Sequence, residues 1–346
     1  MQLTGTLIAI ELFDVSEAIA LEPLRTSIKA ATRTIPMPHA RFYRAPLVEQ
    51  VPSVPFDSGV MLPAEIRYYD FGNVSVSYSR PFSGTWQELV ATASRWIESP
   101  EFEERSRRLV QERVRMYGGV FERPFPDWLN EDYFIFRIDP VEGDVLREYG
   151  AEIAQIVRGD SQPLARAEIN EVLQAHISYY PRDLAVIGWN GAFLMDTESG
   201  AEAGIQLLEL ANSQLLEFRH YDDMLSHELE RVYRLLTGRS SFIDRWTMPR
   251  NAQRMQGVLL DVTELTERAE NAIKFLSDMY SARFYRLASA RIGVPDYRRL
   301  VSSKLETAQD RYEYMVDQFN HARGLFLEVI VVVILLVELG SVFFKH

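Results

Sequence analysis

The densest group of potential ligand side chains in this sequence lies between Arg219 and Glu230. Three of these residues, His220, Asp223 and His227, occupy positions i, i+3 and i+7 of a predicted helix, so they share one face and could bind a divalent metal ion. The same spacing is common on solvated polar helix faces, and the sequence favours that interpretation. We therefore predict no metal site and no cofactor, and keep these three residues as metal-ligand candidates only.

Asp222 differs from its neighbours because it falls on the apolar seam of the same helix. A polar residue at such a position often fixes the register or the oligomeric state of packed helices at some cost in stability. We therefore expect Asp222 to set the register of helix packing. The apolar residues of this seam step by threes and fours: Leu208, Ala211, Leu215, Phe218, Leu225, Leu229, Val232 and Leu236.

Two further carboxylates, Glu328 and Glu338, lie in the most apolar stretch of the chain, residues 324–344. At a rise of 1.5 Å per residue this stretch would extend roughly 30 Å, the thickness of the hydrocarbon core of a bilayer. It therefore predicts one C-terminal transmembrane helix of the tail-anchored type, although a buried core helix is an alternative. Arg311 and Arg323 precede the stretch, which favours a body on the cytoplasmic side.

An ionisable side chain in lipid is costly and usually faces protein or water. If the preceding heptad pattern continues, Glu328 and Glu338 lie off the packing seam, and the chain has no second span to cover them. Glu328 can extend to the interface, but Glu338 is deeper and requires a proton or shielding helices. The sequence thus predicts that the bilayer-embedded protein associates with itself as a homo-oligomer or with another membrane protein. The alternative is a tolerated Glu338 near the far interface.

Composition excludes several kinds of chemistry. The 346 residues include no cysteine, so disulfides, thiolate nucleophiles and Fe–S clusters are excluded. A formal net charge of −12 argues against specific nucleic-acid binding. The chain contains no glycine-rich phosphate loop, no G-x-S-x-G and no H-E-x-x-H motif. We therefore identify no catalytic residue and do not expect an enzyme.

Residues 1–198 are predicted to form an α+β head with about six strands. Up to residue 140 the element order is β-α-β-β-α-β with the second helix doubled, which is the ferredoxin-like split βαβ order on an antiparallel sheet. Strands are expected at 3–13, on both sides of Gly72-Asn73, at 133–139 and in a hairpin at 184–196 with a type I′ turn at Asn190-Gly191. Helices are expected at 16–32, 85–97, 99–118, 141–157 and 164–179, and a long irregular connection at 33–61.

Residues 199–323 show three long helical patterns with apolar residues at heptad spacing. Glycine and proline interrupt them at 238–249 and at 293–295. Adjacent helices joined by short turns pack antiparallel, so we predict a long helical, coiled-coil-like stalk that leads into the membrane helix.

The run from Phe326 to Glu338 resembles the C-terminal end of the "required for meiotic nuclear division" family. Its members end in a heptad helix, an acidic residue, a short Ile/Val run and a second acidic residue ten positions on. Segments 280–291 and 297–320 also resemble the stalk of that family, and 65–79 is similar to its early hydrophobic hairpin. The resemblance implies a membrane-anchored, non-enzymatic protein, whose eukaryotic relatives are associated with mitochondria and translation there, or with meiotic division.

These observations lead to two functional hypotheses. The first is a tail-anchored, oligomeric scaffold or tether that presents an α+β binding head. The alternative is an oligomeric ion or proton transport assembly of the channel type, with Glu338 in the membrane path. A dimer or trimer would exclude the channel, because a pore needs at least four or five copies of the span.

Overall fold

A large sheet forms the core of the structure, a computed structural model that describes residues 1–28, 32–34, 45–56, 59–236, 257–258, 260, 262–263 and 279–343. Among these residues nine strands join in one sheet and two short strands pair separately. The strands are β1 (Leu3–Asp14), β2 (Ser16–Ile19), β3 (Thr32–Thr34), β4 (Leu47–Pro55), β5 (Met61–Tyr68), β6 (Asn73–Gly84), β7 (Phe121–Pro124), β8 (Asn130–Ile138), β9 (His176–Ile177), β10 (Leu184–Ile187) and β11 (Gly191–Met195).

The order of the large sheet is β3-β4-β5-β6-β1-β8-β11-β10-β9, and β2 pairs with β7. All neighbouring strands are antiparallel except β8 and β11, which are parallel. The central strand β1 pairs along its length with β6 on one side and β8 on the other, so that Ala9 lies opposite both Tyr78 and Phe134. Its residues from Ala9 to Asp14 are all buried because both faces of the sheet are covered there.

The helices follow local start and stop signals. α2 begins after Thr85, whose hydroxyl accepts a hydrogen bond from the backbone N–H of Glu88 while the Glu88 carboxylate accepts one from the backbone N–H of Thr85. Gly293, with a φ of +98°, separates the last two helices. The helices are α1 (Leu21–Ser27), α2 (Trp86–Ile97), α3 (Glu101–Met116), α4 (Val145–Glu148), α5 (Gly150–Arg158), α6 (Arg166–Gln174), α7 (Glu198–Leu236), α8 (Met279–Ile292) and α9 (Val294–Phe343).

The first face of the sheet carries the main apolar core. Helices α2, α3 and α5 contribute buried side chains to it, such as Trp86 and Phe102, which contact Phe193 and Tyr78 of the sheet. One carboxylate buried in this core has a hydrogen-bond donor for each of its two oxygens. Glu49 accepts hydrogen bonds from the Tyr68 hydroxyl at 2.6 Å and from Nε of Arg113 at 2.9 Å.

The second face of the sheet is more polar and contacts α7. Ile66 and Tyr68 point into the apolar core, so strand alternation places Arg67 on the opposite face, where it pairs with Glu209 of α7. The side-chain amide of Asn73 donates to the backbone carbonyl of Ser213 at 3.2 Å. α7 thus lies on the sheet through hydrogen bonds and ion pairs as well as through apolar side chains.

The chain divides into two compact units. The first comprises Met1–His220 and Thr266–Tyr297, and contains the sheet. The second comprises Tyr221–Leu265 and Arg298–His346, and within it Leu225, Val301 and Ala308 are fully buried.

The predicted fold class is wrong. The sheet has nine strands rather than about six, and its order is not that of the split βαβ fold. Part of the expected irregular connection forms β3 and β4, because a shift in register between Val51 and Val54 accommodates Pro52 within the strand. A separate stalk that begins at residue 199 is also wrong, since α7 up to His220 belongs to the unit of the sheet. The second stalk pattern lies mostly outside the described residues.

The predicted membrane anchor is not supported either. In the described part of the chain, none of the helices combines the length and the apolar character that crossing a bilayer requires. This finding overturns the transmembrane helix at 324–344 and the membrane localisation. It also overturns the tail-anchored scaffold and the channel-type assembly that were built on that helix.

Several local predictions are confirmed, and others need correction. The hairpin around Gly72-Asn73 and the strand at 133–139 are present as β5–β6 and β8. The hairpin at 184–196 is present as β10–β11, but neither Asn190 nor Gly191 has a positive φ, so its turn is not type I′. The helix expected at 16–32 is replaced by β2 and the short α1, and residues 29–31 lie outside the described part.

Gly72 provides a test of this architecture. Its φ is +100°, and a Cβ added there would lie 1.8 Å from the backbone oxygen of Ser16, which no side-chain movement can relieve. We expect Gly72→Ala to lower the free energy of unfolding by about 2–4 kcal/mol in urea denaturation. The matched control is Gly118→Ala, because a Cβ at Gly118 meets no atom within 4 Å. Equal effects of the two substitutions would contradict the close contact between the β5–β6 turn and β2.

Candidate functional site

The first unit contains a pocket of about 550 Å³ between the β9–β10 connection, the start of α7 and the first turns of α8. A volume of this size is typical of small-molecule sites. Its lining combines aromatic rings, hydroxyl groups, two carboxylates and small residues: Tyr179, Tyr180, Asp183, Leu184, Ala185, Leu194, Met195, Asp196, Thr197, Ser199, Gly200, Ala201, Ala203, Gly204, Leu207, Tyr280, Ser281 and Phe284.

A tight turn before β10 presents two tyrosines at the pocket. The Asp183 carboxylate accepts hydrogen bonds from the backbone N–H of Tyr179 at 2.7 Å and of Tyr180 at 2.9 Å, and so fixes the turn. Both tyrosines are exposed, at 61% and 66%. The ring of Tyr179 lies 5.2 Å from that of Tyr280 in α8, which makes a connected aromatic surface from two distant parts of the chain.

The start of α7 forms a second wall. The backbone N–H of Thr197 donates to Oδ1 of Asp196 at 2.6 Å, and the Thr197 hydroxyl accepts from the backbone N–H of Gly200 at 3.1 Å. A Cβ at Gly200 would lie 2.3 Å from Oδ1 of Asp196. The glycine therefore lets the carboxylate lie directly against the first turn of the helix.

The innermost part of the pocket depends on another glycine of α7. A Cβ at Gly204 would lie 3.2 Å from the ring of Phe284, which is 2% exposed. Tyr280 lies one turn before Phe284 on α8, with 6.2 Å between the ring centroids. Small residues on α7 thus face aromatic residues on α8, and the space between them is the pocket.

The electrostatic character of the pocket is acidic. Asp183 and Asp196 are its charged residues, and no lysine, arginine or histidine is among the described lining residues. Serine, threonine and tyrosine hydroxyls supply neutral donors and acceptors. The arrangement can bind a ligand through ring faces, hydroxyls and carboxylates.

A second group of titratable residues lies at one end of the sheet, on its apolar face. Glu11 in β1 is opposite Asp132 in β8 and is 1% exposed. No hydrogen-bond partner of its Oε2 is found among the described residues. Burial, reinforced by the negative charges of Asp132 and Glu103, raises the pKa of Glu11 well above 4.5, while Arg107 opposes the shift. Burial likewise raises the pKa of Asp132.

The opposite face at the same end of the sheet carries Asp14 and His220. Nδ1 of His220 lies 2.7 Å from Oδ2 of Asp14, and its ring stacks on Phe125 at 4.6 Å. Burial raises the pKa of Asp14, and the hydrogen bond and charge of His220 oppose that shift. Beside them Arg219 pairs with Glu131. These contacts hold the α7 residues just before the unit boundary on the sheet.

The structure gives one predicted metal-ligand candidate, His220, a partner outside the predicted set, and pairs the other two with each other. His220 contacts Asp14, and Nε2 of His227 lies 3.6 Å from Oδ2 of Asp223 on an exposed surface. Within the described ranges no group of three or more His, Asp or Glu side chains is placed to hold a metal ion.

The other predicted site residues lie in the second unit. Asp222 pairs with Lys304 of α9, with 2.6 Å between Oδ1 and Nζ, and Lys304 also donates to the Ser226 hydroxyl at 2.7 Å. Glu328 is exposed. Glu338 lies within α9, and its side chain is outside the described part.

Sequence reasoning missed both the pocket and the buried Glu11. The pocket brings together residues 179–207 and 280–284, whose proximity has no local signal. Glu11 did have one, because strand alternation places it on the same face as Leu7, Ala9 and Phe13. A carboxylate on an otherwise apolar strand face indicates a perturbed group.

Comparison with known proteins relates the chain to a family and to a protein of another organism. A family model described as "Uncharacterized protein MJ0711, N-terminal domain" matches residues 4–202, more than half of the chain. The uncharacterized protein MJ0711 of Methanocaldococcus jannaschii is 22% identical over 194 residues, which cover 56% of this chain and 59% of that protein. No solved structure matches. The resemblance to the "required for meiotic nuclear division" family is therefore wrong, since apolar C-terminal tails of unrelated proteins look alike.

The pH dependence of stability tests the buried state of Glu11. A raised pKa in the folded state means that the folded chain holds this proton more tightly than the unfolded chain, whose pKa is near 4.5. The contribution of Glu11 to stability is therefore greatest below about pH 4.5 and is lost as pH rises through the raised pKa. Glutamine cannot ionise, so Glu11→Gln should unfold at a higher urea concentration than wild type at about pH 8 and at a similar urea concentration near pH 4.

The control for this measurement is Glu104→Gln, on the exposed side of α3, where the carboxylate is 61% exposed. It should follow the wild-type pH profile. Parallel profiles of wild type and Glu11→Gln between about pH 4 and 8 would refute the raised pKa.

A double-mutant cycle tests the pairing of Asp222 with Lys304. The two side chains are 20% and 25% exposed, so Lys304→Met leaves a largely buried carboxylate without its cation. We expect the single substitution to cost about 1–2 kcal/mol in urea denaturation, and Asp222→Asn in the same chain to recover part of it. A coupling energy near zero would show that Asp222 does not set the packing of α7 with α9.

Proposed function

The chain belongs to the family of the N-terminal domain of the uncharacterized protein MJ0711, and we propose that it is a binding protein whose first unit holds a small ligand in the tyrosine-lined pocket. The observation that supports this proposal is the pocket itself, a cavity of about 550 Å³ with aromatic walls and a few convergent polar groups. The residues matched by the family include the turn at Asp183 and the start of α7, which supply both carboxylates.

Binding is favoured over catalysis by what the lining residues can do. The Ser199 hydroxyl lies 3.5 Å from the Thr197 hydroxyl, which is not a base that could activate it as a nucleophile. Asp183 holds its turn through two hydrogen bonds from backbone N–H groups, and Asp196 accepts one at the start of α7. Both carboxylates therefore have structural tasks.

The pair of Glu11 and Asp132 is the other place where acid–base chemistry could be sought, because both pKa values are raised. Glu11 is 1% exposed, however, so a substrate cannot reach its carboxyl group without displacing the covering helix. A general acid or base must lie within hydrogen-bond distance of the reacting group. We therefore assign this pair to the pH dependence of the stability of the fold rather than to a reaction. Self-association of the chain stays a prediction from the sequence.

Blocking the pocket tests this function. Ala203 lines the pocket and is exposed on α7, so Ala203→Trp should fill the opening without disturbing the core. The neighbouring Glu202→Trp is the matched control, because Glu202 is exposed on the same helix but does not line the pocket. The ligands found in a fragment screen are expected to be weak. A fragment of about 14 non-hydrogen atoms, with a binding free energy of about 0.3 kcal/mol per atom, would bind with a Kd of about 1 mM.

We expect ligand-detected NMR with a mixed library of acidic, neutral and basic fragments to find ligands of wild type that still bind Glu202→Trp and no longer bind Ala203→Trp. Circular dichroism and urea denaturation of both variants verify that they are folded. A library with no ligand, or with ligands that bind Ala203→Trp unchanged, would refute the proposal.

A further inference from the structure

The charges around the pocket select among ligands, and we propose that its ligand is a protonated amine carried on an apolar or aromatic body. This inference rests on the proposed binding function and adds the chemical class of the ligand. Asp183 and Asp196 provide two carboxylates, and the described lining residues provide no cationic side chain to balance them. Such a site attracts a cation and repels an anion.

Asp196 is the carboxylate with an oxygen left for a ligand. Its Oδ1 accepts from the backbone N–H and from the hydroxyl of Thr197, whereas no donor to Oδ2 is found among the described residues. Arg137 approaches this residue but donates to its backbone carbonyl at 3.1 Å. The Arg137 guanidinium is paired with Asp139 at 2.6 Å, so its charge is already compensated. An ammonium group can therefore donate to Oδ2 in a charge-assisted hydrogen bond.

The aromatic surface supplies the second half of cation recognition. Tyr179, Tyr180 and Tyr280 form a connected group with centroid separations of 4.7 Å and 5.2 Å. A cation within about 6 Å of a ring centroid is attracted by the negative face of the ring. The same rings and the buried Phe284 offer contact area for the apolar body of the ligand.

An anionic ligand at the start of α7 is the main alternative, since helix N-termini attract phosphate and carboxylate groups. Here the protein itself fills that role. Asp196 accepts from the backbone N–H of Thr197, the Thr197 hydroxyl accepts from Gly200, and Glu198 adds a further negative charge in the first turn. An external anion would meet repulsion where it would need free donors.

The test uses the chain of 346 residues and three probes of similar size and different charge: 2-phenylethylamine, 2-phenylethanol and 3-phenylpropionate. We expect the amine to bind wild type about tenfold more tightly than the alcohol in NMR titrations, and the carboxylate to show no binding. Asp196→Asn keeps the Oδ1 acceptor for Thr197 and removes the charge. It should weaken amine binding about tenfold and leave alcohol binding unchanged.

The control variant is Asp144→Asn, which removes a carboxylate that also caps a helix, at the start of α4 and outside the pocket lining. It should bind all three probes like wild type. A fourth probe, N-acetyl-lysine methylamide, distinguishes a lysine side chain of a peptide from a free amine as the source of the ammonium group. If that probe binds more tightly than 2-phenylethylamine and Asp196→Asn weakens its binding in the same way, the inference is supported and a lysine side chain of a peptide is the source of the ammonium group.

Two results would overturn the inference, and they differ in whether the proposed binding function is still supported. If alcohol and amine bind equally, or if Asp196→Asn binds the amine like wild type, the cation preference is refuted, while sensitivity to Ala203→Trp still supports a binding pocket. If none of the probes binds and the fragment library also gives no ligand, the binding function fails as well.

Discussion

The ion pair between Arg67 and Glu209 is the contact on which the arrangement of α7 depends. Glu209 is 1% exposed and lies between the sheet and the helix, with Arg67 as its partner from β5. Nε of Arg67 has no hydrogen-bond partner among the described residues, so the pair is not fully satisfied. Such a buried pair adds little net stability, yet removal of one partner costs about 3–5 kcal/mol. The pair therefore fixes the position of α7 on the sheet more than it adds to the free energy of folding.

The apolar residues of α7 supply the stability that this pair does not. Leu208, Ala211, Leu215 and Phe218 of α7 are buried, and each fully buried leucine or phenylalanine contributes about 1.5–3 kcal/mol. Apolar contacts alone tolerate a shift of the helix by one turn, because similar residues recur along it. The ion pair removes that freedom. Since Gly200 and Gly204 lie upstream on the same helix, a fixed register for Glu209 also fixes the walls of the pocket.

Much of the local structure could be predicted from the sequence, whereas the sheet and the pocket could not. The start of α2 at Thr85 and the hairpin at 184–195 follow from residues adjacent in the chain. Strand β4 is not predicted from the sequence because its prolines are typical of a loop. Only the pairing with β5 shows the shift in register that allows Pro52 to lie within the strand. The C-terminal apolar run was misread because composition alone does not separate a membrane span from other apolar helices. The burial of Glu11 can be inferred from strand alternation. Its position opposite Asp132 cannot, because that position depends on the pairing of two strands that are distant in the sequence.

The pocket is built from two parts of the chain that differ in their relation to the family. The match to the family ends at residue 202, after the turn at Asp183 and the carboxylate of Asp196. Gly204, Tyr280 and Phe284 lie beyond it and complete the lining. If the pocket binds an amine, both carboxylates that attract its charge belong to the family domain, whereas its body contacts Tyr179 and Tyr180 of that domain and also the side chains of α8 in the remainder of this chain. Relatives that keep the two carboxylates but have another sequence after α7 would then share a preference for cations and differ in the size of the ligand they accept.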